Sequence, residues 1–177
     1  LHGPDMQLLG CTNDSEETAM TTTDDRAVID ADTFTVRRTI RIAASVSTVW
    51  ATLTEPALIS RWFGDAELDG RGVGATGALS WPDSGAHPLR IEAIDPERTI
   101  TYRWHADDVG PGMVRTLDGP GTTVFEFRLE VDGDGTVLTV EETGFGETND
   151  PAGNLESHRG GWNSELDELV ALIATLA

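Results

Sequence analysis

Two stretches decide the fold of this chain: Val46-Ser47-Thr48-Val49-Trp50-Ala51-Thr52-Leu53-Thr54-Glu55-Pro56, followed by Trp62-Phe63, and Gly161-Trp162-Asn163-Ser164-Glu165-Leu166-Asp167-Glu168-Leu169-Val170-Ala171-Leu172-Ile173. In the second, Trp162, Leu166, Leu169, Val170, Ile173 and Leu176 recur at helical spacing, which predicts a helix of about 15 residues or more with one wide apolar stripe. Such a stripe must cover a large apolar surface. In the first, Val46, Val49, Trp50 and Leu53 lie on one side of a short helix, and Ser45 is placed to cap it. Thr54 then caps a second helical turn. Pro56 sits in its first turn, where a missing N–H costs little, and Leu58, Ile59, Trp62 and Phe63 form its apolar side.

The surface to be covered is a sheet. Phe34, Val36, Ile40 and Ile42 alternate with Thr35, Arg37, Thr39 and Arg41, the period-2 signal of a half-buried strand, and Arg38 falls on the apolar face. Further strands are expected over 66–68, 78–81, 89–94, 99–105, 122–131 and 136–143. Turn residues such as Asp95-Pro96-Glu97 and Asp132-Gly133-Asp134-Gly135 separate them, as in an antiparallel meander. Ile100, Tyr102 and Trp104 share one face of their strand, and Phe125, Phe127, Leu129 and Val131 share a face of theirs.

Composition narrows the functional classes. A chain of 177 residues with five Trp and five Phe supports one core and a tail, and no apolar run approaches the roughly 18 residues of a membrane span. The net charge is -19, and every cationic residue is Arg. A negative field of that size argues against nucleic acid and anionic membranes as partners, and the absence of Lys excludes Schiff-base and Walker-type phosphate chemistry. The single Cys11 forms no internal disulfide, which fits a reducing compartment; a cytoplasmic location is the expectation. Leu8-Leu9-Gly10-Cys11 resembles a lipoprotein box, but a basic segment and an apolar segment do not precede it here. The Asn13-Asp14-Ser15 sequon means little without a secretory signal.

Residues 1–32 hold eight acidic residues against Arg26 and read as a disordered acidic tail, with the folded domain over 33–177. Met20 is an alternative start, which would make the preceding residues foreign to the native chain.

A strand, two short helices, a six-strand meander and a long C-terminal helix resemble the α+β helix-grip fold of the START-like (SRPBCC) superfamily. Within it, Val49-Trp50-x-x-Leu53-Thr54-x-Pro56…Trp62-Phe63, Asp95-Pro96-Glu97-Arg98…Trp104, Leu138-x-Val140-x-Glu142-x-Gly144-Phe145 and Gly161-Trp162…Leu169 are similar to the branch named after the activator of the heat-shock chaperone ATPase. The resemblance spans residues 33–176. It implies a curved antiparallel sheet wrapped around the last helix, and a cavity between them that other members use for apolar or amphipathic ligands. It implies no common reaction.

Other motifs fail on context. Gly72-x-Gly74-x-x-Gly77 matches a dinucleotide pattern but leads into Ala78-Leu79-Ser80-Trp81-Pro82, which does not open a helix, so it reads as a loose hairpin. Counted as a calcium loop from Asp132, position 12 is Thr143, where a bidentate Glu is required. His2, His87, His105 and His158 lack zinc-ligand spacing, so neither metal nor cofactor is expected. His105 and His158 are candidates for the pocket mouth, with a solvated or satisfied histidine as the alternative. Trp62, Trp81, Tyr102, Trp104, Phe125, Phe127 and Trp162 are core aromatics, two or three of which are expected to touch a cavity. Arg38 and Glu142 carry charge on apolar faces. Either they reach the concave side as polar anchors, or twist and bulges turn them to solvent.

The reading that follows is a binder of a small hydrophobic or amphipathic molecule. The alternatives are a polyketide cyclase- or hydrolase-like enzyme using Glu142, Arg38, Tyr102 or His105 as acid or base, and a co-chaperone or stress protein acting through its surface. A chaperone or a second copy of the chain remains a conceivable partner.

Overall fold

The computed structural model describes residues 25–176. Eight of its strands form one antiparallel sheet in the order β1-β2-β8-β7-β6-β5-β4-β3. They are β1 (Val28–Asp30), β2 (Thr35–Ile42), β3 (Asp65–Leu68), β4 (Thr76–Trp81), β5 (Gly85–Asp95), β6 (Thr99–His105), β7 (Thr122–Asp132) and β8 (Gly135–Thr143). Helices α1 (Val46–Thr54) and α2 (Pro56–Ile59) follow β2, and α3 (Pro151–Leu176) closes the chain across the sheet. This is the helix-grip α+β architecture. The sheet is continuous because β2 pairs with β8, Val36 opposite Glu142 and Ile42 opposite Thr136, so strands far apart in sequence lie side by side.

Local chemistry accounts for the elements. Ser45 caps α1, its Oγ accepting the Thr48 N–H at 3.3 Å. Thr54 does not cap α2: its hydroxyl turns back to the Trp50 carbonyl at 2.8 Å, and Glu55 holds the cap position without a side-chain bond. The β3–β4 hairpin is where the dinucleotide-like glycines fall. Gly74 has φ of +89°, and a Cβ on Gly77 would lie 1.8 Å from the Glu67 carbonyl oxygen, so the two glycines serve a turn and a close strand approach.

Three expectations change. Residues 1–24, including His2, Cys11 and Met20, lie outside the described residues, but the next part of the expected tail is structured. Val28–Asp30 pair with β2, Ala27 is buried and donates its N–H to Asn163 Oδ1 at 2.8 Å, and the Asp30 carboxylate accepts the N–H groups of Asp32 and Thr33 to shape the following turn. Asp30, one of the acidic residues that suggested disorder, is thus a turn former. Phe34 leaves the apolar face predicted for it, because it closes that turn at φ of +51° and remains exposed. In α3, Val170 and Leu176 are exposed while Leu155 and Leu172 are buried. The helix begins a full three turns before the apolar stripe, at Pro151, a residue pre-shaped for a first turn.

Both charges on apolar faces are buried. Arg38, 3% exposed, lies beside Ile40 and Val36 and reaches α3 rather than a cavity. Its Nε donates to the Asp25 carbonyl at 2.7 Å, Nη1 to the carbonyls of Trp162 at 3.2 Å and Asn163 at 2.7 Å, and Nη2 to Asp167 Oδ1 at 2.7 Å. One guanidinium therefore fastens the helix to the sheet and to the segment entering β1. Arg38→Met keeps the bulk of the stem and removes the donors, and is expected to lower unfolding stability by about 1.5–3 kcal/mol. Urea denaturation showing a loss below about 0.5 kcal/mol would mean that these contacts contribute nothing net.

Candidate functional site

Glu142 is fully buried on β8. Its carboxylate gathers four donors from three further elements. Oε1 accepts the Thr123 hydroxyl at 2.5 Å and the Trp104 indole N–H at 2.9 Å; Oε2 accepts the Trp162 indole N–H at 2.7 Å; His158 Nδ1 lies 3.1 and 3.0 Å from the two oxygens. The fold delivers these groups by simple register. Trp104 on β6 stands opposite Thr123 on β7, Glu142 stands opposite Phe125 on β7, and His158 and Trp162 lie one helical turn apart on α3.

A carboxylate in such surroundings is ionised only if its neighbours compensate for lost water. Burial acts to raise the Glu142 pKa, but the His158 charge and the hydrogen bonds of His158, Thr123 and Trp104 outweigh it and hold the group below its ordinary value of 4.5. Burial likewise acts to lower the His158 pKa, and the Glu142 charge, its hydrogen bond, the Ala106 carbonyl and Asp107 turn the net shift upward from 6.5. Both shifts favour an imidazolium on a carboxylate.

With Glu142 buried behind it, the His158 member of the pair borders a cleft of about 160 Å³. Its walls are Phe63, Trp81 and Trp104 on one side and Ser157, His158, Gly161, Trp162 and Glu165 of α3 on the other. Phe63 ties the aromatic side together, with ring centroids 5.6 Å from Trp81, 5.8 Å from Trp104 and 5.4 Å from Trp162. The Trp81 indole is held by its N–H to the Phe63 carbonyl at 2.7 Å. Gly161 leaves the helix side open, since a Cβ there would meet nothing within 4 Å. Glu165 is pushed up to about 7, mainly by burial and further by the Glu168 charge.

The residues proposed from sequence divide into three groups. Trp81, Trp104, His158 and Trp162 line the cleft, and Glu142 lies beneath it. Trp62, Tyr102, Phe125 and Phe127 instead fill the space between sheet and helices, where the remaining void is about 10 Å³, at the limit for one water molecule. The Trp62 and Tyr102 polar atoms are satisfied there by the carbonyls of Thr52 and Leu53, both at 2.8 Å. Arg38 and His105 stand elsewhere. His105 is buried with Nδ1 at 2.9 Å from the Thr116 carbonyl, and its Nε2 has no partner among the described residues. Sequence reasoning missed Thr123, Ser157, Gly161 and Glu165. Gly160-Gly161 was the available signal, because glycine inside a helix is unfavourable and implies a reason. Three larger surface hollows, of about 420, 480 and 710 Å³, have neither an aromatic wall nor a buried ionisable floor. Among the described residues, no group of three His, Cys, Asp or Glu side chains is placed to hold a metal ion, and no helix is long and apolar enough to cross a membrane.

The profile of the family described as "Activator of Hsp90 ATPase homolog 1-like protein" matches residues 43–174, from the start of α1 through nearly all of α3. The chain belongs to this family. Solved structures agree on the fold. CalU16 from Micromonospora echinospora is 28% identical over 78% of this chain and 75% of its own, with a TM-score of 0.60. MLL2253 from Mesorhizobium loti is 24% identical over 81% and 98%, with a TM-score of 0.68. The Aha1 dimer from Colwellia psychrerythraea is 18% identical over 78% and 95%, with a TM-score of 0.60. No curated protein matches the chain.

The ionisable groups at the cleft predict how stability varies with pH. His158 has a raised pKa, so its contribution to stability is full below 6.5 and is lost as pH rises through the higher folded value. Glu165, also raised, loses its contribution between 4.5 and about 7. Glu142, depressed, contributes above 4.5 and loses this as pH falls through its lower folded value. Urea denaturation across pH is expected to show declining stability above 6.5, with His158→Gln removing that limb and Glu165→Gln flattening the segment from 4.5 to 7. Glu142→Gln is expected to cost about 1–3 kcal/mol near neutrality, because it removes the charge that holds the proton on His158 and leaves one of the four donors without an acceptor oxygen. Stability that rises steadily from pH 6.5 upward in the wild type would contradict this assignment.

Proposed function

We propose that this domain binds a small amphipathic molecule, inserting one ring or ring-sized group into the cleft between α3 and the ends of β4 and β6. The observation that carries the reading is an aromatic-walled cleft bordered by His158 and Glu165 and left open by Gly161. Ligand sites combine mostly apolar walls with a few polar groups that fix orientation. The volume of about 160 Å³ suits one aromatic ring, since a cavity of roughly 150 Å³ accommodates benzene. A large ligand wholly enclosed between sheet and helix is not supported, because Trp62, Tyr102, Phe125 and Phe127 occupy that space.

The cyclase- or hydrolase-like reading loses its leading residue. A carboxylate with four donors and a depressed pKa is a poor base and carries no proton to give, and His158 spends Nδ1 on Glu142. Glu165, pushed up to about 7 at the cleft wall, is the group on which acid–base chemistry would fall. Consumption of a bound ligand, lost in Glu165→Gln, would favour that second reading. The co-chaperone reading has only the family's description behind it.

Binding is tested with indole and 2-naphthol as neutral probes. Each is expected to change tryptophan emission and raise the melting temperature by mass action. Gly161→Leu should fill the cleft and abolish the response, whereas Gly160→Leu, whose added side chain lies away from the cleft, should preserve it. Equal binding by both variants, or no response to either probe, would overturn the proposal.

A further inference from the structure

Resting on the cleft as a binding site, we propose that its preferred ligand is an organic cation: an amine or quaternary ammonium group attached to a small apolar ring. Four aromatic rings, Phe63, Trp81, Trp104 and Trp162, converge on one small space, with neighbouring centroids 5.4–6.0 Å apart. Aromatic faces are the negative pole of the ring quadrupole, and several of them around a desolvated space are the arrangement that recognises ammonium groups. A neutral apolar ligand would use the same walls, so charge has to decide between them.

The charges around the cleft favour a cation. Among its described lining residues only His158 and Glu165 are ionisable. The positive charge of His158 is matched at 3.0 Å by Glu142 directly below, so together they present no net charge to the cleft. Glu165 has no such match: no hydrogen bond or ion pair reaches it from the described residues, and its nearest charged influence is another acid, Glu168. The sheet side adds Phe63, Trp81 and Trp104, which are uncharged, with His87 behind Trp81 and Trp104 held neutral by a burial-lowered pKa. An unmatched carboxyl therefore faces an aromatic space, and a bound cation would supply its missing counter-charge. The net charge of -19 points the same way at long range, because it concentrates cations near the surface and repels anions.

Binding would also move a proton. With its pKa pushed up to about 7, Glu165 is partly protonated near neutrality. A cation beside it favours the carboxylate, so the carboxyl O–H bond breaks and the proton passes to solvent.

The test compares three probes of similar shape: benzyltrimethylammonium, its neutral carbon isostere neopentylbenzene, and the anion phenylacetate. Affinities are read by tryptophan fluorescence, and proton release by calorimetry near pH 7 in buffers of different ionisation enthalpy. The cation is expected to bind about tenfold or more tightly than the neutral isostere, with the anion weakest, and to release a fraction of a proton. Glu165→Gln should remove the proton release and bring the affinities for benzyltrimethylammonium and neopentylbenzene to within a few-fold of each other. Equal wild-type affinity for cation and isostere would overturn the cation assignment yet leave the cleft as a binding site. A preference unchanged in Glu165→Gln would overturn the role given to that carboxyl. If none of the three probes binds, and indole and 2-naphthol also fail, the cleft reading itself falls.

Discussion

The structure depends on one buried negative charge. Glu142 sits on β8, an interior strand of the sheet, with no access to solvent, and an ionised carboxylate there is tolerable only if donors replace its water. Thr123, Trp104, Trp162 and His158 do so from β7, β6 and α3. Each donor is itself a large or shaped group, so satisfying the carboxylate fixes the position of two indoles and one imidazole at once. A well-packed apolar residue could match or exceed such a pair in stability alone. What the ion pair adds is placement: it orients α3 against the sheet at the point where the cleft opens. Arg38 performs the corresponding task on the other side of the helix, with its donors on the Trp162 and Asn163 carbonyls and on Asp167.

This arrangement explains why the site is small and lateral. The residues that could have enclosed a large cavity, Trp62, Tyr102, Phe125 and Phe127, pack against one another and satisfy their polar atoms on α1. An aromatic-walled space survives where helix α3 lacks a side chain, at Gly161, and where Trp81 and Phe63 end the aromatic cluster. Gly64 belongs to the same device, because a Cβ there would come within 2.7 Å of the Trp81 indole. Family membership supplies the scaffold, and the local choice of side chains decides what enters it.

Much of the fold was legible in the sequence. The alternation in β2, β6 and β7 and the helical spacing from Trp162 onward are local signals, and the structure follows them except at Val131, Val170 and Leu176, which are exposed. Local signals also marked Arg38 and Glu142 as charges on apolar faces, yet left open where they point. Their partners are remote: 124 and 125 residues separate Arg38 from the helix carbonyls it meets, and 16 to 38 separate Glu142 from its donors. Such distances are set by tertiary register, which a single sequence does not encode in a readable way. Val28–Asp30 were misjudged because an acidic turn has the composition of a disordered tail, and Phe34 because alternation does not reveal that a turn at positive φ ends on it. Glu165 was overlooked because it lies on the flank of the α3 stripe, where a surface acid is the ordinary occupant.

The most direct test of the account is a titration of the Glu142 side-chain carbon by carboxyl-detected NMR in the folded protein. Four donors and the His158 charge predict a midpoint below 4.5. A midpoint above 4.5 would show that desolvation dominates, and that the buried carboxylate is not the charge around which the helix, the sheet and the cleft are organised.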